Sequence, residues 1–211
     1  IKDFKKGRIK SKRCQTHVFK FFLSCLPNPW IHYLPGKIST ILPNQQVWSW
    51  SADLQKCILG ISKSCGKGII LSILKTWANS WATTSRLHED ARWPCIFGCC
   101  EARDDLAHYL ICDRFWSGIL AAASANANLI QVDPLIQVCI VNPSAFWACL
   151  CAVGYQTYHA IKRDHKAEIE AAIACGEWTN MSALLVKIAT HFCSACYATR
   201  REVLQPALPN G

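Results

Sequence analysis

Residues 95–112 read CIFGCCEARDDLAHYLIC, and this stretch governs the reading of everything around it. Three residues separate Cys95 from Cys99, and three separate His108 from Cys112. Zinc takes four tetrahedral sulfur or nitrogen donors, and a tight turn between two thiolates, with Gly98 freeing the backbone, brings both sulfurs to one ion. The second pair requires a helix. Asp104 or Asp105 caps one predicted to run to about Trp116, on which His108 and Cys112 are i and i+4 and project from one face, with Leu106 and Leu110 facing the core. An isolated C-x3-C is ordinary in a chain with fourteen cysteines. A turn-type cysteine pair followed by H-x3-C on a capped helix is a narrower coincidence, so the expectation is Zn²⁺ held by Cys95, Cys99, His108 and Cys112. Cys100 adjoins Cys99 and is the alternative second thiolate, although Gly98 directly before Cys99 favours Cys99. Four protein ligands leave no open coordination position, which makes the metal structural. Because Trp93 to Leu106 carries little apolar material of its own, the region is expected to fold only with metal present.

Working outward, the flanks read as helix. Ser51 is placed to cap a helix carrying Leu54, Cys57, Ile58 and Ile61, with Gly66 to Gly68 punctuating its end. Ile70, Ile73, Leu74, Trp77 and Trp81 then form one apolar stripe, read as core. Beyond the cysteine segment, Pro134 and Pro143 fence a short apolar stretch. Ser144 caps a long helix expected to end near Gly176, and Thr179 caps the last one, with a stripe of Leu184, Leu185, Ile188, Phe192 and Cys196. Before residue 45, Pro27, Pro29, Pro35 and Pro43 recur too closely for a long helix. The expected fold class is mostly α: a helical domain with a small CCHC zinc-binding turn-helix inserted and an irregular basic N-terminal arm. Three segments follow from this: 1–45, the basic arm and Pro-rich stretch; 46–118, a helical pair with the metal motif; and 119–205, a C-terminal helical segment.

Charge is concentrated at one end. Residues 1–20 hold eight basic groups against Asp3, a net +7 of the chain's +9. Such an excess points to polyanions, with Lys5, Lys6, Arg8, Lys10, Lys12 and Arg13 as candidate phosphate contacts, although a solvated tail without a partner has the same composition. Near the motif, Arg86, Arg92, Arg103 and Arg114 either balance a negative three-thiolate zinc site or reach phosphate oxygens. With 51 % apolar residues the 211-residue chain has ample core material. Cys57, Cys139, Cys149, Cys151 and Cys175 sit in apolar helix-like runs rather than in a disulfide spacing, which favours a reducing compartment, nuclear or cytoplasmic. Residues 134–160 contain no Asp, Glu, Lys or Arg, but the purely apolar run from Ala145 to Val153 falls far short of the ~20 residues of a spanning helix. No cleavable signal is evident around Val18 to Leu26, which Lys20 interrupts. The start at Ile1 reads as that of a fragment.

Other motifs are weaker. GISKSCGK at 60–67 misses the phosphate-loop spacing, and Gly68 stands where Ser or Thr must bind magnesium. His191, Cys193 and Cys196 do not share a helix face and read as core. His159 and His165, among Lys162, Arg163, Asp164 and Lys166, read as a solvated helix face.

Residues 74–116, LKTWANSWATTSRLHEDARWPCIFGCCEARDDLAHYLICDRFW, resemble the zinc-binding region C-terminal to the reverse transcriptase of non-LTR (LINE-type) retrotransposon proteins. Asn79, Trp81, Thr83 and Arg86 fit the upstream helix pattern of that region. Cys95, Phe97, Gly98, Cys99, Asp104, His108, Tyr109 and Cys112 fit its finger; the doubled Cys99–Cys100 departs from it. The match covers about a fifth of the chain. It implies a fragment of a polyprotein with an RNA-directed DNA polymerase upstream, in which the finger helps hold element RNA or target DNA. The polymerase itself is not expected here, because the one Asp-Asp pair, Asp104–Asp105, follows Ala102–Arg103 and opens a helix rather than an aromatic-x-Asp-Asp hairpin. The competing readings are a zinc-stapled helical protein-interaction module without a nucleic-acid role and, less favoured, a membrane-associated helical protein.

Overall fold

The computed structural model describes residues 29–42, 50–87, 92–99, 102–124 and 133–198. The arm cations Lys5, Lys6, Arg8, Lys10, Lys12 and Arg13 lie outside the described residues, as does Cys100. In chain order the helices are α1 (Pro29–Ile41), α2 (Trp50–Ser62), α3 (Lys67–Trp77), α4 (Thr84–Leu87) and α5 (Leu106–Tyr109). They continue with α6 (Asp113–Ala122), α7 (Pro134–Gln137), α8 (Ala145–Asp164), α9 (Lys166–Cys175) and α10 (Thr179–Ala198). Extended pairing among the described residues is limited to one antiparallel bridge, Pro94 with Arg103. The fold is mostly helical, as the periodicity implied.

The centre of the molecule is α8. From Ala145 to Ile161 it carries no charged residue, and a helix apolar on every side must be covered on every side. It packs against α10, α3, α6, α7 and α9. Ser144 starts it as expected, its hydroxyl accepting the Trp147 N–H at 3.2 Å. α10 in turn lies on α6 closely enough that a Cβ on Gly118 would meet Leu185 Cδ2 at 2.4 Å. Among the described residues, no helix is long and apolar enough to cross a membrane.

Several boundaries differ from expectation. A 13-residue helix, α1, runs from Pro29 to Ile41 through Pro35, where the proline spacing argued against one. Pro29 sits at the first helical position, where no hydrogen bond is lost. Pro35 costs about 3 kcal/mol. Burial of Leu34, Ile38 and Ile41, at about 1.5–3 kcal/mol each, exceeds that cost. Ser51 lies inside α2 rather than before it. α3 ends at Trp77, and Asn79 at φ 50° turns the chain, so Trp81 reaches the core from a loop instead of a helical stripe. The long helix expected from Ser144 to Gly176 breaks at His165 (φ −128°, ψ 38°). Lys162 to Lys166 contains no apolar residue, so packing does not hold that turn in line. Gly176 does end α9 in the left-handed region, φ 73°.

The most consequential difference lies in the motif. The helix expected from Asp104 or Asp105 to Trp116 is two helices. Asp105 caps the first, its Oδ1 accepting the His108 N–H at 2.7 Å, but α5 stops at Tyr109. After a turn at Leu110–Ile111, Cys112 takes an extended conformation and itself caps α6. The carbonyl that the break releases on Leu110 accepts the Trp116 indole N–H at 3.2 Å.

Candidate metal centre

Cys95, Cys99, His108 and Cys112 converge: their ligand atoms all lie within 4.8 Å of one another. Cys112 Sγ is 3.9 Å from Cys95 Sγ and 3.6 Å from Cys99 Sγ. Zn–S bonds of about 2.3 Å at tetrahedral angles place sulfurs about 3.7 Å apart, which these two distances bracket. His108 Nε2 is buried without a hydrogen-bond partner. A buried imidazole nitrogen without a hydrogen-bond partner, set beside three sulfurs, is a donor arrangement that a metal cation would satisfy. The donor set therefore fits a metal ion, and it is the one such cluster among the described residues.

Local geometry explains the convergence. Pro94 and Arg103 close the loop, with Cys95 N–H donating to Ala102 O at 2.8 Å and Asp104 N–H to Trp93 O at 3.0 Å. Inside it, Gly98 N–H donates to Cys95 O at 3.0 Å. Gly98 has φ 88°, and a Cβ there would lie 2.4 Å from Trp178 Cγ and 2.5 Å from Arg114 Nη1. Glycine is required on both counts. On the other side, Cys112 Sγ accepts the Phe115 N–H at 3.4 Å, which places a prospective thiolate at the positive end of α6. The break after Tyr109 thus turns Cys112 from a side chain on a continuous helix into the cap of a new one. The Cys112 thiol donating to Cys95 pulls Cys95 down to about 4, with His108 adding to the effect against the opposing effect of burial. Cys112 is pushed up by the same contact and by burial. Cys99 is raised by desolvation and by the charge on Cys95. A metal held by these three sulfurs would take them as thiolates, so its binding would release protons.

The expectation that residues 93–106 lack apolar anchorage does not hold. Ile96 and Phe97 are fully buried, with the Phe97 ring 5.3 Å from Phe115 and 5.8 Å from Tyr109. Hydrophobic contacts hold the loop to the domain, so a metal bound there would not supply its whole attachment.

Sequence reasoning missed the polar hub behind the cluster. Asp104, considered as a cap, is fully buried. Its Oδ1 accepts the Tyr109 and Tyr158 hydroxyls, both at 2.8 Å; its Oδ2 accepts the Thr84 N–H at 2.7 Å and Lys162 Nζ at 2.9 Å. One carboxylate joins α4, α5 and α8. The available signal was two adjacent aspartates, only one of which can cap. Lys162, read as part of a solvated face, also lies 5.2 Å from the Trp93 ring centroid.

His159 likewise corrects the solvated-face reading. Its ring packs 4.3 Å from Tyr155 and 6.4 Å from Trp81. Burial, then the charges of Lys75, Lys162, Arg86 and Arg163, lower its pKa to about 4. His165 stays near the surface and pairs with Glu168 at 2.9 Å. Cys193 is buried, as the core reading required. Of the four arginines, Arg114 donates to Phe97 O at 3.3 Å and its charge favours the Cys99 thiolate. Arg103 is exposed at the bridge, Arg92 is exposed, and Arg86 lines a groove on the α1 side.

Comparison with protein-family models, curated proteins and solved structures finds no match to this chain.

Proposed function

We propose that this chain is a helical module stapled by one structural Zn²⁺ at Cys95, Cys99, His108 and Cys112, and that it binds RNA or DNA as part of a non-LTR retrotransposon reverse transcriptase protein. The observation that carries the metal assignment is the unpartnered His108 Nε2 beside three sulfurs, all four donors within 4.8 Å of one another. Thiolate and imidazole donors in a closed four-ligand set select zinc over harder cations. Support for a nucleic-acid role comes from the resemblance over residues 74–116 and from the concentration of positive charge in residues 1–20. The zinc holds shape and performs no chemistry, since no ligand position is left open.

Elemental analysis of the purified chain tests the first part, with one zinc expected; none would overturn it. Mobility shift against unrelated RNA and DNA tests the second. Binding should weaken with salt, each neutralised phosphate contributing a slope of about −0.9 on duplex DNA. Replacing Lys5, Lys6, Arg8, Lys10, Lys12 and Arg13 with Gln should flatten that slope by several units. A zinc-loaded chain that shifts neither polymer is instead a protein-interaction module. Primer extension by the chain should equal the no-protein control.

A further inference from the structure

The Asn79, Trp81, Thr83 and Arg86 pattern is only partly consumed by the fold. Trp81 fills the aromatic core, and Thr83 Oγ1 accepts the Arg86 N–H at 3.2 Å. Asn79 and Arg86 instead line an open groove of about 700 Å³ between α1, the 78–87 segment and the N-terminal turn of α5. Lys37 stands on the α1 wall and Arg86 on the opposite one. Neither has a carboxylate partner among the described residues. The groove's one carboxylate, Asp105, is engaged in capping His108. Tyr33 at the rim is 53 % exposed, with Lys37 Nζ 5.6 Å from its ring centroid. The Asn79 carboxamide oxygen is buried with no hydrogen-bond partner.

We propose that this groove is the path of a single nucleic-acid strand. Lys37 and Arg86 neutralise backbone phosphates from opposite walls, Tyr33 stacks an unpaired base, and Ser80 meets sugar or base edges. Cations beside an exposed aromatic ring are the combination by which proteins hold single strands without reading sequence, and a duplex has no free base face to offer the ring. The third wall, Asp105 to Ala107, directly precedes the ligand His108, so the metal centre buttresses the groove. The proposal rests on the nucleic-acid reading above and assigns it a site distinct from the basic arm.

The test is fluorescence anisotropy of the zinc-loaded full chain with a labelled oligo-dT 20-mer and a 20-base-pair duplex. Lys37→Gln/Arg86→Gln should make the single-strand salt slope shallower by about 1.4, at about 0.7 per phosphate. Tyr33→Ala should weaken single-strand binding about fivefold or more without changing the slope or duplex binding. Lys187→Gln, on exposed α10 surface, should change nothing. Far-UV circular dichroism and zinc content establish that each variant is folded; Arg86→Gln alone, with half the slope change, serves if the double variant is not. Groove variants that bind the oligonucleotide as the parent does overturn the groove while leaving the nucleic-acid reading intact. A parent chain that binds neither oligonucleotide overturns both.

Discussion

Between Trp93 and Trp116, sulfur, imidazole, carboxylate and phenol are packed among Ile96, Phe97, Leu106 and Phe115, whereas along α8 and α10 the interior is mostly hydrocarbon and buried thiol. The two regions use the same residue types differently. In α8, burial alone pushes the Cys151 thiol up to about 12, leaving an inert small hydrophobe beside Thr76. In the finger, the Cys112 thiol pulls Cys95 down although it too is buried, while Cys112 and Cys99 are pushed up. What separates a ligand cysteine from a packing cysteine is the set of atoms its sulfur faces, and burial does not distinguish them. The Asp104 carboxylate behind the sulfurs is tolerable because four donors meet it, two of them, Tyr158 and Lys162, from α8, whereas His108 Nε2 has no hydrogen-bond partner.

The sharpest way to break this contrast is Asp104→Ala. It strands Lys162, which is only 12 % exposed, and removes one acceptor from the Tyr109 and Tyr158 hydroxyls, which keep Ile96 N–H and Ala82 O as partners. Breaking such an ion pair costs roughly 3–5 kcal/mol. Urea denaturation measures the loss; a cost below about 1 kcal/mol would mean that the hub is not a structural centre.

Metal removal comes next. Free zinc at a thousand times its Kd stabilises the native state by about 4 kcal/mol. His108→Ala should lose the ion and that increment. Because Ile96 and Phe97 anchor the loop independently, hydrogen exchange should quicken across 95–112 while α8 and α10 keep their protection. Cys193→Ala should retain one zinc and cost on the order of 1–2 kcal/mol from the small cavity alone. Global unfolding on chelation would erase the distinction between the two regions.

The smallest effect is a pH dependence at their seam. His159 is held neutral, with its pKa lowered from 6.5 to about 4. The folded state therefore disfavours the proton that the unfolded chain accepts. Stability from this group is fully present above about pH 6.5 and is lost as pH falls towards 4. With solvent screening at a half-buried ring, the loss between pH 7 and pH 5 is on the order of 1 kcal/mol. The urea midpoint of the parent chain should fall relative to that of His159→Phe as pH drops over that range. Parallel pH profiles would show that His159 contributes no titrating term.

The donor types, the two x3 spacings, the glycine between them and the apolar periodicity of the major helices were legible in the linear chain. All are local properties, set within a few residues of backbone geometry. The Ser144 cap and the Gly176 stop were readable for the same reason. Tertiary structure decided where helices break and what the polar residues meet. Proline spacing weighed against α1, but its three buried aliphatics outweigh the Pro35 penalty only because α2 and α3 are there to receive them. Helical spacing put His108 and Cys112 on one continuous helix, yet the Phe115 N–H and the Trp116 indole make a break at Leu110 affordable. Asp104 looked like a cap because its partners Tyr158 and Lys162 lie more than fifty residues away. Local pattern determines which groups are available; long-range packing determines which of them find partners, since a buried polar atom is stable only where distant chain happens to supply its complement.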